Sequence, residues 1–468
     1  MLAYALGVPA LVGFLFVTLC SRSDPGQGFF ERLFLGIGIG IGILTFEMFI
    51  LGLLRIPMTV TLISLIQLAT IMVSGYFLQR SGMSVRQIFG PAAGRRDSRQ
   101  TGNSLLKQLL VLLLAAWILA KLLFVLYEGF YIPEHTSDSW EHWSLAAKFI
   151  FYEKGLQLDP AVEHFFGRDY MKIQRYPLNV PLMQAWVSFC IGKASEVYMK
   201  IWNAVFFVGT VGLLYFSIRK RASLTASLLA AFFLSSVPLL TYHALTAYAD
   251  LPLGFYAMGA MVCFWEYIES RKGERAGTAQ LLVLVGACTA LCIWTKMEGL
   301  FFAAAVSAVM VVYFWAKRVP FRRLAAYVSP IAFVALPWYI FLFSIGVRVS
   351  YGEEKMVEET VTRGIHLQVL PVVLEQAFFS PNFNLVFPFL FFLLIFGFKR
   401  IVRSDLWYLH AALLLVMAMF LAVYLGTENY RWVMNLTALD RNILTFVPMA
   451  YCVAALTSVE LLRSGGPR

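Results

Sequence analysis

Apolar stretches of about 20 residues recur along the whole chain, each long enough to cross a bilayer, and they leave few folds open. They lack the alternation of a half-buried strand, so each reads as a helix and not as part of a barrel. Hydrophobic residues make up 60% of the 468 positions and charged residues only 14%. A soluble protein of this length has no way to hide so much apolar surface. Lipid must be the solvent for most of it, and lipid accepts only helices or closed barrels. The fold class expected is an all-α polytopic membrane protein. Candidate spans are 2–20, 32–54, 56–79, 105–127, 196–218, 223–246, 251–269, 279–295, 299–316, 324–345, 383–398, 405–425 and 440–462, about thirteen helices. The first run lacks the basic start and small-residue cleavage site of a signal peptide. It reads as a retained helix, kinked at Pro9.

The net charge of +11 does not point to nucleic acid, because the basic residues gather in loops. Arg80, Arg86, Arg95, Arg96 and Arg99 fill one loop. Arg219 to Arg221, Arg271–Lys272, Lys317–Arg318 with Arg322–Arg323, and Lys399–Arg400 with Arg403 fill others. Read as solvated topology determinants in the cytoplasm, they put the N-terminus outside and the C-terminus in the cytoplasm of a bacterial inner membrane. The basic loop 80–104 contains Gly and Ser and is poor in large apolar residues. It divides the chain into an N-terminal three-helix membrane extension with its linker, 1–104, and a membrane core, 105–468, with an outer loop over 128–195. Cysteines at 20, 190, 263, 288, 292 and 452 show neither metal spacing nor a disulfide framework. The run Gly36-Ile-Gly-Ile-Gly-Ile-Gly42 suits a close helix-packing face or a flexible lipid-facing stretch.

This topology requires the unusual polar groups to fall on one side, and they do. The segment 128–195, the turn Ala247 to Pro252, the turn Trp294 to Gly299, the loop 346–382 and the approach to Leu439–Asn442 all lie outside. Histidines 135, 142, 164, 243 and 366 lie on or near the same face. Charge at membrane depth is costly and marks function. The bland alternative is a set of snorkelling interfacial residues.

The densest polar stretch is Glu134-His-Thr-Ser-Asp138-Ser-Trp-Glu-His142-Trp. If residues 137–152 form a helix, Asp138 and His142 share a face. Trp140, Trp143, Phe149 and Phe151 then make it an amphipathic juxtamembrane helix lying on the bilayer. Asp138, at its start, suits a catalytic carboxylate or a helix cap. His142 suits orientation of Asp138, metal binding or a local hydrogen bond. Asp250, beside Tyr248 and before Pro252, suits a cap or a sugar- or metal-binding pocket. Lys296 can meet a phosphate or pair with Glu298. Arg441 can hold a lipid phosphate by a bidentate bond or pair with Asp440. Asn435-Leu-Thr437 matches the N-glycosylation pattern.

The stretch Asp138-Ser-Trp-Glu-His-Trp-Ser-Leu-Ala-Ala-Lys148 is similar to the first outer-loop acidic motif of the GT-C membrane glycosyltransferases. Within them it most resembles the family 39-type bacterial enzymes, relatives of protein O-mannosyltransferases and aminoarabinose transferases. Tyr176-Pro-Leu-Asn-Val-Pro181-Leu-Met-Gln-Ala-Trp186, Tyr248-Ala-Asp-Leu-Pro252, Trp294-Thr-Lys-Met-Glu-Gly299 and Leu439-Asp-Arg441 resemble the same family, in order. The resemblance covers roughly 105–462 and leaves the first three helices without a task.

The resemblance implies a GT-C core with a periplasmic juxtamembrane-helix loop. It implies transfer of one sugar, with inversion, from a polyprenyl-phosphate donor to a hydroxyl of a glycan, lipid or protein at the outer face. Asp138 takes the general-base role. His142, Trp140, Tyr176, Asp250, Lys296, Glu298 and Arg441 are the donor-binding candidates. The phosphate leaving group calls for a cation, Lys296 or Arg441. Tyr176, Trp186 and Tyr248 suit sugar stacking or packing. The motif departs from the family in reading Asp-Ser-Trp where paired acidic residues are usual. That puts a metal bridge in doubt, although Asp250, His142 or Glu298 are conceivable ligands for Mg or Mn. A lipid-linked glycan ligase or polymerase uses the same carrier. A transporter or flippase instead places charge at the midplane of broken helices. The transferase reading requires Asp138, Asp250, Lys296 and Arg441 to converge.

Overall fold

The computed structural model describes residues 1–22, 27–90, 104–156, 176–273, 278–345 and 364–464. Most of the basic linker with Arg95, Arg96 and Arg99, the side chain of Arg86, His164 and residues 346–363 of the outer loop lie outside that set. The described residues form helices and no strand. An N-terminal unit comprises α1 (Leu2–Cys20), α2 (Phe29–Leu53) and α3 (Val60–Arg80). The body begins with α4 (Leu105–Tyr131), α5 (Ser144–Glu153), α6 (Asn179–Ile191) and α7 (Ile201–Arg219). It continues through α8 (Leu224–Ser235), α9 (Pro238–Ala244), α10 (Asp250–Lys272), α11 (Thr278–Thr295), α12 (Gly299–Ala316) and α13 (Leu324–Ser344). The last are α14 (Val369–Phe379), α15 (Val386–Arg403), α16 (Leu406–Gly426) and α17 (Leu439–Ser464).

Among the described helices, 11 are long and apolar enough to cross a membrane, or 12 if α8 and α9 count as one span bent by 69°. The chain is a multi-pass membrane protein. Proline cannot continue the hydrogen-bond ladder, and Pro238 stands at that bend. The count differs from the thirteen expected at α15. A helix forms there, but Lys399, Arg400 and Arg403 occupy its end and shorten the apolar stretch.

The central helix is α10, buried along nearly its whole length. Small residues let its neighbours approach. Gly254 lies against Thr445 and Pro448 of α17, and Gly259 against Cys288 of α11. By contrast α4 turns Leu109, Leu112, Leu113, Leu119 and Leu123 outward, as a lipid-facing helix should.

The glycine run of α2 serves packing on two faces. A Cβ at Gly40 would stand 1.8 Å from the Pro9 carbonyl oxygen of α1, and one at Gly36 2.6 Å from the Phe14 amide. A Cβ at Gly38 would meet Phe255 of α10 at 2.2 Å, and one at Gly42 would meet Leu291 of α11 at 2.3 Å. Thus α2 is wedged between α1 and the core instead of lying in lipid as an appendage.

The basic loops are not all solvated. Arg221 pairs with Glu266 and Glu269, and Lys220 with Glu31 at 2.8 Å and with Glu266. Lys272 and Lys317 each hold Asp405 at 2.8 Å. Lys220 and Arg221 are buried among helix ends, where a cation without a carboxylate would be costly.

Gly40→Val should force α1 away from α2 and cost about 1–3 kcal/mol or more. Thermal unfolding of the detergent-solubilised protein measures it. Gly75→Ala on α3, with nothing within 4 Å of the added carbon, should leave the melting temperature unchanged or higher.

Candidate active site at one end of the bundle

Asp250 opens α10 and is fully buried. It does not cap the helix: Ala249 holds the cap position, and no side-chain cap bond forms. Its carboxylate faces cations instead. Oδ1 accepts from Lys296 Nζ at 2.7 Å, and Oδ2 accepts from Arg441 Nη2 at 3.3 Å and Nε at 3.4 Å. His243 of α9 brings Nδ1 to 3.6 Å. The N-terminal turn of a helix adds its own partial positive charge.

Lys296 lies in the turn between α11 and α12. The turn is tight enough that a Cβ at Gly299 would stand 1.8 Å from the Cys292 carbonyl oxygen. Only glycine fits there without a shift. Lys296 Nζ also reaches Glu298 Oε1 at 3.0 Å, so it pairs with both carboxylates. Burial opposes its charge, and Asp250 and Glu298 more than offset that, holding the ammonium well above the ordinary lysine range.

Arg441, near the start of α17, is the hinge of the cluster. One nitrogen, Nη1, donates to Asp138, while Nη2 and Nε face Asp250. The guanidinium lies 4.1 Å over the ring of Tyr248, a cation–π platform. Its sequence neighbour Asp440 is not its partner. Asp440 accepts from Asn382 Nδ2 at 2.7 Å, because adjacent helical side chains point in different directions.

Asp138 stands at the start of a helical segment, as its sequence suggests, but its side chain makes no capping hydrogen bond. Glu134 instead braces the loop that leads into it. Its Oε1 accepts from the amides of His135 and Thr136 at 3.1 and 3.3 Å and from the Thr136 hydroxyl at 2.8 Å. Residues Ser139–Trp143 form a π-helical turn before α5. The wider turn breaks the simple spacing that would set Asp138 and His142 on one face. His142 packs against Tyr176 at 5.4 Å between ring centres. Its Nδ1 is buried without a hydrogen-bond partner among the described residues. Tyr176 also packs on Trp143 at 5.4 Å, and burial, then the Glu298 carboxylate, push its phenol up from the ordinary value.

Asp138, Asp250, Lys296, Glu298 and Arg441 therefore form one charged cluster at one end of the bundle, with Tyr176 and Tyr248 beside it. Trp140 is exposed on the π turn. Trp186 is not a stacking group: it is fully buried in α6, donating to the Ala5 carbonyl oxygen at 2.9 Å. Exposure grades the cluster. Side-chain exposure is 38% for Asp138 and 23% for Arg441, against 0% for Asp250 and 7% for Lys296. Among the described residues no group of three or more His, Cys, Asp or Glu is placed to hold a metal ion. The carboxylates here are engaged by Lys296 and Arg441. Sequence reasoning did not pair His243 with Asp250; a fold through α9 makes that contact.

The family model of dolichyl-phosphate-mannose-protein mannosyltransferase matches residues 115–387, more than half of the chain. The match includes Asp138, Tyr176, Asp250, Lys296 and Glu298 and ends before Arg441. No curated protein matches the chain. Among solved structures, that of ArnT from Cupriavidus metallidurans in the apo state is similar, with 14% identity and a TM-score of 0.47. The alignment covers 73% of this chain and 59% of that one, so this chain spans less than two thirds of that structure's length.

Asp250→Asn should leave Lys296 and Arg441 short of their buried counter-charge. The expected loss is about 3–5 kcal/mol, seen as a large fall in melting temperature in detergent. Glu298→Gln, with the Asp250 contact to Lys296 intact, should cost clearly less. Equal melting of the wild type and Asp250→Asn would show that the cations do not depend on Asp250.

Proposed function

That the chain belongs to the dolichyl-phosphate-mannose-protein mannosyltransferase family, and is a membrane glycosyltransferase of the GT-C type, is the premise from which we propose its reaction. It transfers one sugar from a polyprenyl-phosphate carrier to an acceptor hydroxyl of a glycan, lipid or protein. The site faces the periplasm of a bacterial inner membrane, and the C-terminus is cytoplasmic.

One observation carries this reading: Arg441 is shared between a buried carboxylate, Asp250, and a half-exposed one, Asp138. Asp250 is fixed, whereas Asp138 is displaceable. A phosphodiester entering the site competes with Asp138 for the guanidinium fork and can bind it by two bonds. Lys296 adds a second positive charge, anchored by Asp250 and Glu298. The freed Asp138 then lies beside the sugar's anomeric carbon as a base.

The acceptor O–H gives its proton to Asp138 as its oxygen bonds to the anomeric carbon. The bond from that carbon to the phosphate oxygen breaks on the opposite face, so the configuration inverts through an oxocarbenium-like transition state. The electron pair leaves with the polyprenyl phosphate. Arg441 and Lys296 stabilise the charge that develops there, and a phosphate leaving group needs no general acid. The platform of Tyr248 holds the guanidinium plane while its partner changes. Charge collected at one end of the bundle, not at the midplane, supports chemistry at the membrane surface over a transport path.

Asp138→Asn, at matched amounts of folded protein, should lower transfer of labelled sugar from a polyprenyl-phosphate donor by about 10²–10⁴-fold. The same variant should bind polyprenyl phosphate at least as tightly as the wild type, since the competitor for Arg441 is weakened. Undiminished transfer would remove Asp138 from the reaction.

A further inference from the structure

The first three helices carry no residue of this mechanism, and the family match begins after them, at residue 115. Yet α2 hydrogen-bonds to α6, α10 and α11, the helices next to Tyr176, Asp250 and Lys296. The Thr45 hydroxyl of α2 donates to Asn179 Oδ1 at 2.8 Å, with the Gly42 carbonyl oxygen a longer second acceptor at 3.1 Å. Thr45 Oγ1 in turn accepts the indole N–H of Trp294 at 3.0 Å. Asn179 Nδ2 donates to Thr295 Oγ1 at 2.8 Å, and Thr295 passes its proton to the Leu291 carbonyl oxygen at 2.6 Å. Thr45, Asn179, Trp294 and Thr295 are all fully buried. The proton inventory closes, since each hydroxyl gives one proton and accepts another and the amide uses both ends.

This ring joins two halves of the site through a helix outside both. Asn179 heads α6 just after Tyr176, whose ring braces His142 and Trp143 beside Asp138. Trp294 and Thr295 run directly into Lys296. The helix of Asp250 is tied to α2 as well, by Tyr256 Oη donating to the Gly38 carbonyl oxygen at 2.8 Å. A buried hydroxyl among apolar helices has no water to replace it. Its removal leaves the Trp294 N–H and Asn179 Oδ1 searching for partners, and both segments shift to find them.

We propose that Thr45 is a positioning residue for the transfer reaction, through which α2 sets the Lys296 turn and the Tyr176 brace in register. The proposal rests on the function given above. Displacements of about 1 Å are enough to cost one or two orders of magnitude in rate.

The test compares full-length wild type, Thr45→Val, Thr45→Ser and Thr70→Val, purified in detergent. Thr70 of α3 bonds to Glu47 at 3.1 Å and so tests loss of another hydroxyl in the N-terminal unit. The readouts are kcat and KM per folded molecule with a labelled polyprenyl-phosphate sugar, and the acylation rate of Lys296 by an amine reagent, followed by mass spectrometry. Thr45→Val should lower kcat about tenfold with KM little changed and raise Lys296 acylation several-fold. Thr45→Ser should restore both, and Thr70→Val should change only the melting temperature. If Thr45→Val melts lower but keeps wild-type kcat and Lys296 acylation, Thr45 is purely structural and the proposal is wrong. Absence of transfer by the wild type would overturn the proposed function. The acylation comparison would still decide whether Thr45 sets the Lys296 turn.

Discussion

Everything at the polar end of this bundle hangs on one carboxylate that cannot reach water. Asp250 is fully buried at the head of the central helix, and its charge is tolerated because Lys296 and Arg441 converge on it. Without it Lys296 would keep only Glu298 and Arg441 only Asp138, a costly loss of counter-charge at that depth. The arrangement also explains why distant segments meet here. The turn between α11 and α12, the start of α17 and the loop before α5 each bring a charge that pairs with a charge from another segment. Packing brings the helix ends near one another, and the ion pairs fix which atoms face which.

The apolar runs were legible as helices because lipid allows little else, and nearly every predicted span has its helix. Individual candidates were legible too, since a charge at the end of a hydrophobic helix stands out. Their pairing was not. Reading neighbours in sequence joins Arg441 to Asp440, yet Arg441 reaches Asp138 and Asp250, 303 and 191 positions away. Short-range reasoning worked only in the tight turn, where Lys296 does meet Glu298. The role of Glu134 in bracing the loop before that segment was equally hidden, because Asp138 offers the more obvious polar candidate. What the π turn does to the Asp138–His142 spacing depends on tertiary packing and has no local signature.

The N-terminal helices illustrate a different loss of information. In sequence Thr45 is one polar residue in an apolar run, indistinguishable from a hydroxyl satisfied by its own helix. Its partners come from α6 and α11, far along the chain, and only their meeting gives it meaning. The alternate glycines were ambiguous for the same reason. Spacing of two places Gly36 and Gly40 on one side of α2 and Gly38 and Gly42 on the other, and both sides are occupied. A helix that lies outside the family match is thereby built into the core.

The contact between Arg441 and Asp138 also bears on how a reaction cycle closes. Under the proposed chemistry the spent carrier is a phosphate monoester, which bears more negative charge than the diester that entered and so clings harder to Arg441 and Lys296. Asp138, holding the acceptor's proton, is neutral and no rival for the guanidinium. Only when that proton escapes to solvent does the carboxylate regain the charge to reclaim Arg441 and help eject the carrier. Proton exit and carrier release then become one event. Asp138's position at the exposed edge of the cluster gives the proton a way out.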